Sequence, residues 1–166
     1  VTIPLDVDGP VTAEVLVVAM TDDGPVLTGP CGPAPWLIET DRQDHPFDTA
    51  RRIATANLTD LTLLHSTSWR HERNAVILTF IAVVASVPES MQRSPIGRAD
   101  LARGSATSAP EAIGFESVLE HGLRHLAWLA REDLAVGEVL DGRWHAYLQG
   151  FFPEPFQQLS TTGGPK

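Results

Sequence analysis

Long apolar runs, cysteine and lysine are what this chain has least of, and each scarcity narrows what the protein can be. The longest strongly apolar stretch, residues 75–87, is broken by Thr79 and Ser86 and falls short of the roughly 20 residues that a membrane helix needs. No membrane partner is expected. The one cysteine, Cys31, cannot form an internal disulfide, in keeping with a reducing compartment. It sits in a Gly/Pro loop with no base near it in sequence, so it is read as a loop residue and not as a nucleophile. The only lysine is Lys166, and the 12 basic residues form no long run against 21 acidic ones. With a formal charge of −9, nonspecific nucleic-acid binding is disfavoured. No basic, apolar leader with a cleavage site opens the sequence, and the expected location is the cytoplasm.

What is present fits one α+β domain with an elaboration. A chain of 166 residues with 43% apolar content is long enough for one full core and short for two. Residues 11–19 form a β-branched run, Thr21-Asp22-Asp23-Gly24 supplies turn chemistry, and residues 25–28 resume an apolar strand. A Pro/Gly loop over 29–35 leads to a short strand, Trp36-Leu37-Ile38. Pro46 suits a first helical turn, and Phe47, Ala50, Ile53, Ala54, Asn57 and Leu58 keep helical spacing behind it. Residues 61–69 and 75–87 flank a polar segment and give the strongest hairpin signal. Strict alternation along that hairpin predicts His65, Thr67, Trp69 and His71 on one face and Ser66, Ser68 and Arg70 on the other. No Ser–His pair follows from it, and the segment 66–73 reads as a solvated turn.

The organisation expected is a β-rich half over 1–87 and a Ser/Gly/Pro-rich linker over 88–110 with a short turn near 99–101. C-terminal helices over 111–159 pack on the same domain, and a disordered tail covers 160–166. Within the helical part, one long amphipathic helix spans 111–134 and a second spans about 136–151, ended by Pro153 and Pro155.

Two strands, a tryptophan-bearing strand, a helix opening on proline, a strong hairpin and a later long helix form an order that resembles the Nudix hydrolases over residues 11–87. The resemblance implies a Nudix-like α/β/α sandwich, built on a mixed sheet, with a C-terminal helical extension. In that family the box G-x5-E-x7-R-E-U-x-E-E-x-G-U places glutamates that converge on Mg²⁺, which neutralises a diphosphate and activates water. Here the corresponding helix contains no glutamate. With Arg51 on the motif's arginine, the three later glutamate positions hold Arg52, Thr55 and Ala56. With Arg52 there instead, they hold Ile53, Ala56 and Asn57. The preceding loop is also shorter than the box requires, and Glu39-Thr40-Asp41 stands where the family has Pro-Gly-Gly.

Two other groups of residues are candidates for ligand or metal binding. Glu39, Asp41, Asp44, His45 and Asp48 crowd the loop entering the helix, beside Arg51 and Arg52, and oxygen ligands with an imidazole suit a divalent cation. The structural reading is that such carboxylates favour the helix dipole and stay solvated. On the long helix, His121, His125, Trp128 and Glu132 occupy neighbouring angles, so two histidines at i and i+4 with Glu132 as a third group form an alternative metal set. Surface histidines beside a rim tryptophan are the competing reading. The aromatic residues Trp144, Tyr147, Phe151, Phe152 and Phe156 are read first as core and second as a homodimer surface on the C-terminal helices.

The expectation is therefore a Nudix-like domain that lacks the metal-binding glutamates and serves as a non-hydrolytic ligand-binding or protein-interaction module, with an unknown small-molecule ligand and no cofactor. One alternative is a divergent nucleoside-diphosphate hydrolase that uses Mg²⁺ and the acidic loop. The other is an unrelated α+β structural or regulatory protein.

Overall fold

The structure is a computed structural model that describes residues 10–41, 44–72, 75–97 and 114–151. The tail expected at 160–166, the turn near 99–101, and Phe152 and Phe156 lie outside these residues.

At the centre of the fold is β1 (Val11–Thr21), whose apolar run is explained by burial on both faces of a sheet. Alternation then sorts its side chains. Ala13, Val15, Val17 and Ala19 enter one core, while Leu16, Val18 and Met20 enter another. The turn Thr21-Asp22-Asp23-Gly24 reverses the chain into β2 (Gly24–Thr28), with Gly24 at φ +118° supplying a conformation that a side chain would resist. The next strand, β3 (Trp36–Thr40), pairs antiparallel with the first half of β1, beyond the stretch that β2 occupies.

The helix α1 (Pro46–Asn57) has the bounds expected from its proline and its apolar spacing. Its fully buried Ala50 and Ala54 meet a sheet face that carries Ala13, Ala19 and Ala82, and small residues on both sides let backbone approach backbone. The strands β4 (Leu61–Glu72) and β5 (Ala75–Val84) form the expected antiparallel pair. Strand β5 then lies parallel to β1, from Val11 opposite Val76 to Ala19 opposite Val84. A further two-residue strand, β6 (Ser94–Pro95), pairs with β2 inside the segment expected to be linker.

The result is an open, mixed six-stranded sheet in the order β4-β5-β1-β2-β6, with β3 sharing the outer side of β1. Helix α1 covers one face. The opposite face is covered by α2 (Phe115–Glu132), α3 (Leu134–Val139) and α4 (Gly142–Leu148), which together with Leu16, Val18, Ile81 and Val83 form the larger core. Gly122 of α2 faces Leu16, Ile81 and Thr67 of the sheet. No helix among the described residues is long and apolar enough to cross a membrane.

Two expectations need correction. The single helix over 136–151 is two short helices, because Asp133 caps α3 through the amides of Ala135 and Val136, and Asp141 caps α4 through those of Arg143 and Trp144. The Trp144 amide is also the main reason that the Asp141 carboxyl is held below its usual range. The strict alternation expected along β4 fails as well. A register shift between Ser66 and Ser68 inserts an extra residue. His65 and Thr67 therefore face α2 together with Arg70, while Trp69 stands opposite Leu78 on the α1 side and is 71% exposed.

Candidate functional site

Position 14 interrupts the apolar run of β1 with a carboxylate, and that carboxylate is 5% exposed. Burying a charge is tolerated only when it is paired and hydrogen-bonded. The bulge in β4 provides the partner by turning Arg70 onto the same face. Arg70 grips Glu14 with two parallel bonds, Nη1 to Oε2 at 2.7 Å and Nη2 to Oε1 at 2.9 Å. Thr79, beside Glu14 in the parallel register of β5, donates its hydroxyl to Oε2 at 2.9 Å and accepts from Arg70 Nη1 at 3.3 Å. Arg70 Nε reaches Glu72 at 3.4 Å. The bond to Glu14 is the leading cause that raises the Arg70 pKa further above its usual range, so the guanidinium is a permanent cation.

This pair forms the floor of an open cleft of about 370 Å³ on the same sheet face as α2, and no described residue of α2 lines it. Its walls are Pro35, Leu37, Ala75 and Ile77, with Glu72 at the rim. A volume at the lower end of the range for small-molecule sites, apolar walls and a few convergent polar groups are the usual attributes of a ligand site. Sequence reading placed Arg70 in a solvated turn and passed over Glu14. The signal that could have found them was the lone glutamate in the β-branched run over 11–19, since a buried carboxylate demands a cation from elsewhere.

The residues singled out in the sequence are placed differently. Glu39, Asp41, Asp44, His45 and Asp48 are all exposed. Asp44 accepts a long bond from the Thr49 hydroxyl at 3.5 Å, and Asp48 pairs with Arg51 at 3.2 Å. Arg51 also lies over the Phe47 ring. Arg52 is exposed on α1, as are Thr55, Ala56 and Asn57. Among the described residues no group of three or more His, Cys, Asp or Glu side chains is placed to hold a metal ion.

The histidines of α2 gain a partner that sequence spacing did not supply. His125 stacks on Trp128, with ring centroids 5.6 Å apart, and meets His65 of β4 edge-on at 4.9 Å. His121 stands 6.2 Å from His125, with Nε2 3.2 Å from the Thr67 carbonyl oxygen. Glu132 is exposed at the end of the helix. Burial lowers the pKa of both His65 and His125. The neighbouring His65 and His121 lower that of His125 further, and Asp133 partly offsets the shift at His65. The buried Nδ1 of His125 has no hydrogen-bond partner among the described residues, which also favours a neutral ring. The cluster packs α2 against the edge strand.

Among the described residues, the C-terminal aromatics Trp144, Tyr147 and Phe151 belong to the larger core. Trp144 is 3% exposed, Phe151 is also buried, and Tyr147 packs between them. No family model matches the chain, and no curated protein matches it significantly.

Proposed function

We propose that this chain is a Nudix-like domain that has lost glutamate-dependent metal hydrolysis and acts as a small-molecule binding module. The observation that carries the reading is α1. It lies where the family's box helix would lie, and the positions for converging carboxylates hold Arg, Thr and Ala, or Ile, Ala and Asn. Side chains of these types cannot neutralise Mg²⁺ or polarise a bound water. Support for the kinship comes from the parallel pairing of β1 with β5 and from α1 and α2 on opposite faces, an arrangement such a fold requires. Support for binding comes from the cleft over Glu14 and Arg70, whose lining includes none of Glu39, Asp41, Asp44, His45 and Asp48.

A turnover screen on nucleoside diphosphates and other diphosphates with Mg²⁺ and Mn²⁺ tests it. The expected result is no turnover above buffer. Turnover abolished by Asp44→Ala or Asp48→Ala would establish the divergent hydrolase instead. Self-association through the helical half is a lesser part of the proposal, resting on Leu134, 85% exposed, and on Val139 in α3.

A further inference from the structure

We propose that the cleft over Glu14, Arg70 and Thr79 binds a small organic cation, a primary amine or guanidine with an apolar body, and excludes phosphorylated ligands. The inference deepens the binding-module reading and rests on it. A guanidinium has five N–H donors, and four of those of Arg70 are engaged by Glu14, Thr79 and Glu72. The acceptors are far from exhausted. Of the four lone-pair positions on the Glu14 carboxylate, three are taken by Arg70 and Thr79, and Glu72 receives one bond only.

Charge points the same way. Two carboxylates and one guanidinium leave the cleft with a net negative charge, inside a protein of formal charge −9. A phosphate finds a single open N–H on Arg70, and a bidentate grip on the guanidinium would have to displace Glu14 and strand a buried carboxylate without its cation. An ammonium or guanidinium instead finds one open lone pair on Glu14 Oε1 and three on Glu72, and leaves the ion pair intact. The apolar body is assigned by Leu37, a large exposed side chain on the cleft wall, and by Ile77 and Pro35 beside it. The edge of the cleft is open, so the ligand enters without any rearrangement of the sheet.

The test is an amide-resolved NMR titration of the full chain with phenethylamine and agmatine as cations, and phenylacetate and ADP as anions. Both cations should give saturable shifts at the amides of Glu14, Leu37, Glu72 and Ile77, and the anions should give none there. Because Glu72 is exposed and not part of the core, Glu72→Gln should fold normally and weaken cation binding about tenfold. The proposal is overturned if the anions shift the same amides, if no cation does so at about 10 mM, or if Glu72→Gln leaves the affinity unchanged. Failure here is separable from failure of the binding-module reading. Diphosphate turnover would overturn that reading and leave the cation shifts in place, whereas absent shifts without turnover would overturn the cleft assignment alone.

Discussion

Replacing Arg70 by methionine removes the cation from a carboxylate that is 5% exposed and leaves the Thr79 hydroxyl as its remaining donor. Breaking a buried pair from one side costs about 3–5 kcal/mol. The Arg70 side chain keeps 20% exposure, so water can partly replace it and the lower figure, roughly 3 kcal/mol, is the expected loss at neutral pH. The double variant Glu14→Leu/Arg70→Met removes both charges and should recover most of the loss. Urea unfolding of the parent, both single variants and the double variant at neutral pH reads this as a double-mutant cycle. A single-variant loss below about 1 kcal/mol, or a double variant no better than Arg70→Met, would refute the view that Glu14 is held by Arg70.

Three further outcomes are expected. His65 and His125 have folded-state pKa values below the ordinary 6.5, so their contribution is complete above that value and is lost as pH falls through the window beneath it. Urea midpoints between about pH 7 and pH 5 should therefore fall less for His125→Phe than for the parent, and equal falls would contradict the burial argument. Gly122→Ala should raise stability by about 0.5–1 kcal/mol, since the new methyl meets Leu16, Ile81 and Thr67 at ordinary contact distances and helix propensity improves. A lower urea midpoint would show that α2 sits closer to the sheet than these distances allow. Trp144→Ala should cost about 3–5 kcal/mol by leaving a cavity under α2. Sedimentation of the folded fraction should show the same oligomeric state as the parent, and a specific loss of dimer would return Trp144 to an interface.

The parts of the fold that were legible in the sequence are those set by local rules. Pro46 and the spacing of Phe47, Ala50 and Ala54 marked α1, and the β-branched run at β1 marked a strand. What could not be read depended on single-residue departures from a period. The extra residue at Ser66–Ser68 reverses every later side chain of β4, and so Arg70 moved from an expected solvated turn to the buried partner of Glu14. Asp141 divides the amphipathic run read as one helix over about 136–151, since a cap acts through two amides and leaves the hydrophobic spacing untouched. The histidine cluster was half legible. His121 and His125 share a helix face by spacing alone, whereas His65 arrives from a strand 60 residues earlier than His125, a distance in sequence that only tertiary packing closes.

The acidic loop and the glutamate-free helix α1 bear most directly on the proposed loss of hydrolysis. Initial rates on a panel of nucleoside diphosphates and related diphosphates, with Mg²⁺ and with Mn²⁺, should stay at the level of buffer for the parent and for Asp44→Ala and Asp48→Ala alike. Metal-dependent turnover by the parent that either substitution abolishes would contradict it.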